Sequence, residues 1–303
     1  MYFPCDESAV FDLNVIPEKE WRNAVVGGVL LGYKARHWWL KNCSRYPKKA
    51  KDYNHDQMLA VLQFMVKFGI KGVCHVVHLT VDLDKARKCQ TDLIQPTFNQ
   101  IANQPEHLKI AVRAHLEMLE NMKPQTFAKA WTLLELITEG VSLYIGCVGK
   151  RQSQDQKSLT IIIDDQVEQM QRTLKSFIYY FLNCRSVDGV FSFSDGEPKT
   201  MGKYIRSGNH RKTIDLTSLI NIEVGKQGDK LDNKFVELRL ADIICNFMNR
   251  RFKGELPPDV CILLDKIVGN VRTVHFGDTP EYQANIPESV RAGLATLNFS
   301  YKV

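Results

Sequence analysis

The chain has 303 residues, of which 44% are hydrophobic and 24% are charged, and its formal net charge is +6. These values are typical of globular proteins and exclude a disordered or collagen-like chain. The modest positive charge permits a polyanionic partner but does not require one. No segment approaches the roughly 20 apolar residues that cross a bilayer, and the first residues do not form a secretory signal. We therefore expect a cytoplasmic protein with no membrane partner.

The eight cysteines include no pair spaced as Cys-x-x-Cys. This spacing gives no support for a zinc ribbon or a redox pair. A chain of this size does not need disulfides to be stable. We expect reduced thiols, most of them filling small spaces in the core.

Hydrophobic patterning predicts strands and helices that alternate along most of the chain. The predicted strands lie at residues 2–5, 24–33, 73–80, 159–163, 190–194 and 214–224. The predicted helices lie at residues 56–68, 126–140, 166–182 and 235–251, with further helical signal between 84 and 123. The last 45 residues or so have a mixed pattern that favours neither state.

The order of these elements predicts an α/β fold. Three strands, a long helical region, a strand–helix–strand unit and a last helix are the order of a ribonuclease H-like core, in which a mixed central sheet is flanked by helices. The helix at 56–68 and the block at about 84–123 would be helical insertions. We expect residues 1–255 to form this domain and residues 256–303 to form a C-terminal extension packed on it.

Three aspartates lie where a site at the edge of a sheet would need them. Asp6 follows the first strand, Asp164 follows the strand at 159–163, and Asp242 interrupts an apolar stretch of the last helix. Ligands gather beyond the strand ends of open α/β sheets. A carboxylate in an apolar stripe is costly unless it is paired or binds a metal. Divalent cations with carboxylate ligands can support phosphodiester hydrolysis.

Each aspartate also has a structural interpretation. Asp6 could be a solvated loop residue. Asp164 or Asp165 could cap a following helix, since aspartate is favoured at that position. Asp242 could form a salt bridge with Arg239 or another cation. Spacing alone does not decide between these roles.

Three motifs of this chain resemble a widespread bacterial family known as domain of unknown function 3800. Residues 5–8 (Cys-Asp-Glu-Ser) are similar to its opening Asp-Glu-Ser-Gly motif, and residues 161–164 (Ile-Ile-Ile-Asp) to its central strand–Asp motif. Residues 238–244 (Leu-Arg-Leu-Ala-Asp-Ile-Ile) are similar to its closing Leu-Gln-Leu-Ala-Asp-Leu-Ile helix. Ala9 replaces the family's glycine, and Arg239 replaces its glutamine. Arg239 could clamp a phosphate or pair with the nearby aspartate.

The resemblance implies a ribonuclease H-like fold and metal-dependent cleavage of phosphodiesters. Asp6, Asp164 and Asp242 match the motif acids and would be the catalytic ligands of Mg²⁺ or Mn²⁺. Glu7 also matches the motif, but neighbouring strand residues point to opposite faces, so it would support the site by orienting a neighbour. A helical glutamate often completes such sites, and Glu139 is favoured slightly over Glu135.

Two basic loops, at residues 41–51 and 199–212, each contain five lysines or arginines and no acid. Such loops fit a phosphate backbone, although a run of charge is also typical of a solvated surface. Tyr204 is available in the second loop to stack on a base. The candidate nucleic-acid contacts are Lys48, Lys49, Lys203, Arg206, Arg211 and Lys212.

These observations lead to the hypothesis of a divalent-metal-dependent nuclease that hydrolyses DNA or RNA by means of a metal-activated water. Families of this kind are associated with bacterial defence against phage and with mobile elements. One alternative is a non-catalytic nucleic-acid-binding or interaction protein on the same fold. Another is a phosphohydrolase of small substrates. A protein partner or a homodimer is compatible with each of them.

Overall fold

The computed structural model of the chain describes eleven stretches, and the structural statements below concern them. They are residues 1–8, 21–80, 82–101, 106, 113, 116–149, 158–164, 205–207, 212–214, 219–225 and 235–276.

In the described residues, eight strands form two sheets. In chain order they are β1 (Tyr2–Ser8), β2 (Trp21–Leu30), β3 (Lys71–Thr80), β4 (Leu159–Asp164), β5 (Ile205–Ser207), β6 (Lys212–Ile214), β7 (Ile220–Gly225) and β8 (Val268–Phe276). The main sheet has the order β7-β4-β1-β2-β3-β8, and β5 pairs with β6 alone. Strand β2 runs antiparallel to β1 and β3, whereas β4, β7 and β8 run parallel to their neighbours. The main sheet is therefore mixed.

Six α-helices of ten residues or more accompany the strands in the described residues. They are α1 (Tyr33–Asn42), α2 (His55–Lys67), α3 (Leu83–Ile101), α4 (Pro124–Gly149), α5 (Leu238–Phe252) and α6 (Pro258–Ile267). Local sequence explains two of their starts. Asn54 and Gln57 form a reciprocal capping box at α2, and Pro258 occupies the first position of α6, where its missing N–H is harmless. None of these helices combines the length and apolar composition that crossing a membrane requires.

Helices cover both faces of the main sheet and produce two cores. Helices α3 and α4 pack on one side, called the α4 face below, where Phe3 and Cys5 of β1 are fully buried. Helices α1, α2, α5 and α6 pack on the other side, called the α5 face, against Val25, Cys74 and their neighbours. Because side chains alternate along a strand, Asp6 points to the α5 face and Glu7 to the α4 face.

The prediction of an α/β fold with a mixed central sheet flanked by helices is confirmed. The strand predicted at 214–224 is wrong in its extent, because Ile214 ends β6 of the small sheet and a separate strand begins at Ile220. The strand predicted at 24–33 ends at Leu30, and Tyr33 begins α1. The predicted helix at 166–182 and strand at 190–194 lie outside the described residues.

The C-terminal region supplies two elements that the sequence pattern did not predict. Helix α6 packs against α2, and β8 pairs with β3 and extends the main sheet. The stretch 256–276 therefore packs on the same sheet as the residues before it.

Candidate carboxylate site

Asp6 and Asp164 lie on neighbouring strands, towards the carboxyl-terminal end of both. Strands β1 and β4 are parallel, with Cys5 opposite Ile163. The side chains of Cys5 and Ile163 belong to the core of the α4 face, so the next residue on each strand points to the α5 face. Neighbouring strands are about 4.8 Å apart. The two aspartates therefore occupy adjacent positions on one face.

Helix α5 brings Asp242 to the same face. It packs across β1 and β2, and the Cys245 thiol donates a hydrogen bond to the main-chain carbonyl of Asp6 at 3.0 Å. This close approach depends on Gly27 of β2, because a Cβ there would lie 2.9 Å from the Cys245 Sγ. Asp242 precedes Cys245 by about one helical turn. The helix therefore brings Asp242 close enough for its charge to act on Asp6.

The charges of Asp164 and Asp242 both act on Asp6. Asp6 is partly buried, and this burial raises its pKa well above the ordinary value, with a further increase from the charge of Asp164. The charges of Asp242 and Glu7 add smaller increases, and the Glu7 N–H, which donates to Asp6 Oδ1 at 2.7 Å, opposes them. Crowded carboxylates of this kind are relieved by a proton or by a bound cation.

Asp242 is held by the first basic loop. Burial raises the pKa of Asp242, and the main-chain N–H of Ala50, which donates to its Oδ2 at 3.0 Å, lowers it in part. The charges of Lys49 and Arg239 lower it further. The loop at 41–51 thus contributes a hydrogen bond and positive charge directly to the carboxylate site.

Arg239 fixes that loop. Its guanidinium is buried and donates hydrogen bonds to the carbonyl oxygens of Cys43, Tyr46 and Pro47 at 2.9, 2.9 and 2.7 Å. These contacts favour a loop-holding role over the two roles considered from sequence, a phosphate clamp and a salt bridge to Asp242. Lys48 and Lys49 follow Pro47 and are exposed. The loop is therefore anchored from inside and presents its cations outside.

The other predicted nucleic-acid contacts belong to the small sheet or are not described. Arg206 belongs to β5 and Lys212 to β6, which form a two-stranded hairpin. Lys203, Tyr204 and Arg211 lie outside the described residues.

Glu7 lies on the opposite face from Asp6, as strand alternation predicts. Lys129 of α4 donates to its Oε1 at 2.7 Å. Lys129 was not among the residues predicted from sequence, although a lysine between Phe127, Ala128, Ala130 and Trp131 is a signal that an acid lies nearby. Glu7 is thus paired with α4 and directed away from Asp164 and Asp242.

Glu139 also lies on the α4 face, above β3. His75 Nε2 is 2.9 Å from its Oε2, and Arg272 of β8 is 3.2 Å from the same oxygen. Strand β2 separates β3 from β1, a distance of about 10 Å. The structure therefore does not bring Glu139 to Asp6. Glu135, the alternative, is half-buried on the same helix.

Within the described residues, no three histidine, cysteine, aspartate or glutamate side chains are arranged to hold one metal ion. The carboxylates nevertheless have the chemistry of a hard-cation site, since Mg²⁺ takes oxygen ligands and often uses one or two carboxylates with waters and substrate phosphates. Asp6 and Asp164 are the pair that fits this description. Comparison of the chain with protein-family models, curated proteins and solved structures finds no match in any of the three.

Proposed function

We propose that this protein is a Mg²⁺- or Mn²⁺-dependent nuclease with a ribonuclease H-like core. One observation carries the proposal: Asp6 and Asp164 occupy adjacent positions of the parallel strands β1 and β4 on one face, where the charge of Asp242 also raises the pKa of Asp6. The acids of β1 and β4 lie side by side although they are far apart in sequence, and a third acid, on α5, acts on Asp6 through its charge. Such an arrangement is what a carboxylate-held metal centre requires.

The strand arrangement supports the ribonuclease H-like core. Three antiparallel neighbours, β1, β2 and β3, are followed in the chain by α4 and then by β4 and β7, which run parallel on the other side of β1. The three motifs that resemble the domain of unknown function 3800 family end β1, end β4 and begin α5. The resemblance and the strand order therefore lead to the same proposal.

In this proposal Asp6 and Asp164 hold the metal, and Asp242 completes the acidic surroundings. The metal would supply Lewis-acid polarisation of a phosphate oxygen and activation of a water. The Ala50 N–H orients Asp242, and the hydrogen bond from Cys245 to the Asp6 carbonyl holds α5 against β1. Lys48 and Lys49 position the phosphate backbone.

A second function, a nucleic-acid-binding protein without catalysis, is favoured by two observations. The described residues contain no three-ligand metal set, and one oxygen of Asp242 already accepts a hydrogen bond from Ala50. The basic loop beside the carboxylates would then bind a phosphate backbone through Lys48 and Lys49 alone.

Cleavage of a labelled panel tests the proposal. Single-stranded DNA, duplex DNA, RNA and a hybrid are incubated with the full chain in Mg²⁺, Mn²⁺ or EDTA. The expected result is metal-dependent cleavage that the Asp164→Asn/Asp242→Asn double variant loses. A Glu117→Gln variant is the matched control, because Glu117 pairs with Arg113 on an exposed helical surface and its replacement should have little effect.

Calorimetric titration with Mn²⁺ separates the two functions. The nuclease proposal expects saturable Mn²⁺ binding to the full chain that the double variant loses and Glu117→Gln retains. Binding of nucleic acid without Mn²⁺ binding and without cleavage would overturn the nuclease proposal and leave the binding protein.

A further inference from the structure

The segment from Tyr33 to Lys51 is a continuous basic stretch of the chain. It contains seven lysines and arginines and no aspartate or glutamate. The segment comprises α1 and the first basic loop, so it is longer than the loop that the sequence analysis assigned to nucleic acid. We call it the basic segment.

The start of α5 holds the basic segment along most of its length. Arg36 pairs with Glu237, and the Trp39 indole N–H donates to the Val236 carbonyl at 3.1 Å. Farther along, Arg239 holds the loop carbonyls, and Asp242 accepts the Ala50 N–H. From Arg36 to Ala50 along the basic segment, the partner residues run in general from those just before α5 to Asp242 within it. The basic segment therefore leads to the carboxylate site.

Packing beneath the basic segment separates its buried side chains from its exposed ones. Trp39 is fully buried and stacks on Tyr46 and Phe64, with centroid distances of 5.6 and 5.7 Å. Trp38, stacked on Phe64 at 4.3 Å, is half-buried. The two tryptophans therefore contribute to packing.

The outer face of α1 combines cations with exposed rings. Tyr33, Lys34, His37 and Lys41 are exposed and share one side of the helix, because residues three or four apart are neighbours there. Tyr33 is 64% exposed, and its ring stacks on that of His37 with an interplanar angle of 13°. A large exposed aromatic ring beside lysines has the chemistry of a platform for an unpaired base.

We infer that the outer face of α1 binds single-stranded nucleic acid and directs it along the basic loop to the carboxylate site. Tyr33 and His37 stack on a base, while Lys34 and Lys41 contact phosphates. A duplex keeps its base faces stacked inside, so the ring platform favours a single strand. The inference rests on the proposed nucleic-acid substrate and adds its strand state and an entry surface.

Binding measurements in EDTA test the inference separately from cleavage. The protein used is the full chain with the substitution Asp164→Asn. Fluorescence anisotropy measures its binding to labelled oligothymidylate and oligouridylate of about 15 nucleotides and to a duplex of matched length. We expect Tyr33→Leu to weaken single-strand binding about tenfold, with the salt dependence unchanged, and Tyr33→Phe to retain most of the affinity. The two oligonucleotides distinguish DNA from RNA.

Replacement of the two lysines of α1 should change a different quantity, the salt dependence of binding. Lys34→Gln/Lys41→Gln should lower the slope of log affinity against log salt by about 1.4, since each phosphate contact on a single strand contributes about 0.7. The matched control is Arg87→Gln/Lys88→Gln, which removes two exposed charges from α3 on the opposite side of the sheet. Thermal melting checks that each variant is folded.

Two results would overturn the inference. One is equal loss of affinity in the α1 pair and in the α3 pair, which would make binding a matter of net charge. The other is single-strand binding that Tyr33→Leu leaves unchanged. Both can occur with or without cleavage by the unsubstituted protein, so failure of this inference is distinguishable from failure of the proposed nuclease.

Discussion

The acidic residues on the two faces of the main sheet have different electrostatic surroundings. On the α4 face, Glu7 is paired with Lys129, and Glu139 with His75 and Arg272. On the α5 face, the charges that act most strongly on Asp6 are those of other carboxylates, and they raise its pKa. Paired acids stabilise a fold at modest gain, whereas acids crowded together cost stability and indicate a functional site.

The largest expected effect is on cleavage activity, which variants on the two faces should change to different extents. Asp164→Asn should reduce metal-dependent cleavage more than about a hundredfold, because a metal ligand contributes several kcal/mol to the transition state. Glu139→Gln should reduce it less than about threefold, because Glu139 lies above β3. Initial rates on the preferred substrate measure both. A greater loss in Glu139→Gln than in Asp164→Asn would reverse the comparison.

The next effect concerns the attachment of the basic segment. Arg239→Ala should lower the free energy of unfolding by about 3 kcal/mol, because three carbonyl groups lose a buried charged donor. Urea denaturation measures this change. Arg250→Ala is a suitable control on the same helix, since Arg250 is half-buried at its other end. An equal loss in the two variants would assign no special role to Arg239.

A smaller loss is expected on the α4 face. Lys129→Met should lower the free energy of unfolding by about 1–2 kcal/mol, between the values for surface and buried ion pairs, because it leaves the Glu7 carboxylate without this partner. The double variant Lys129→Met/Glu7→Gln should recover part of the loss. Urea denaturation of both variants measures this, and no recovery would show that the two side chains are not coupled.

The smallest expected effect is a gain in stability, whereas the two preceding variants lose stability. The raised pKa of Asp6 means that the folded protein favours its protonated form. Its contribution to stability is therefore present below the unfolded pKa, about 3.9, and is lost as the pH rises through the folded pKa. Asp6→Asn should raise stability at neutral pH by about 1 kcal/mol, as replacements at functional sites often do.

Thermal melts without metal from pH 4 to 8 would measure this gain. The difference between Asp6→Asn and the unsubstituted protein should grow with pH, because Asn cannot ionise. Glu7→Gln provides the contrast, since it removes a paired carboxylate. A larger gain from Glu7→Gln than from Asp6→Asn would contradict the comparison of the two faces.

Sequence pattern predicted the position of Asp164 because the end of a strand depends on local order, whereas the strand predicted at 2–5 ended too early, since β1 continues through Asp6 to Ser8. The run Leu159–Ile163 is apolar, and the acid that follows it marks the end of the strand. Alternation along β1 likewise predicted that Asp6 and Glu7 point to opposite faces. These properties need no knowledge of the tertiary structure.

The remaining features depend on contacts between distant parts of the chain. Nothing in the spacing of Arg239 indicates that it binds carbonyl groups of residues 43–47, because main-chain acceptors carry no sequence signature. Glu139 was assigned to the site because the family resemblance implies a helical glutamate, and the structure places it beside His75 of β3 and Arg272 of β8. Helix α6 did have a local signal, since Pro257 and Pro258 precede an amphipathic run.

The attachment of the basic segment to α5 also has a consequence for biosynthesis. Arg36 and Glu237 are 201 residues apart, and Ala50 and Asp242 are 192 apart. During vectorial translation, domains acquire contacts as their segments emerge from the ribosome. The basic segment therefore lacks the contacts that hold it until helix α5 has been synthesised. Because Asp242 and the loop anchor Arg239 belong to the same helix, one late event completes the acidic centre and fixes the surface beside it.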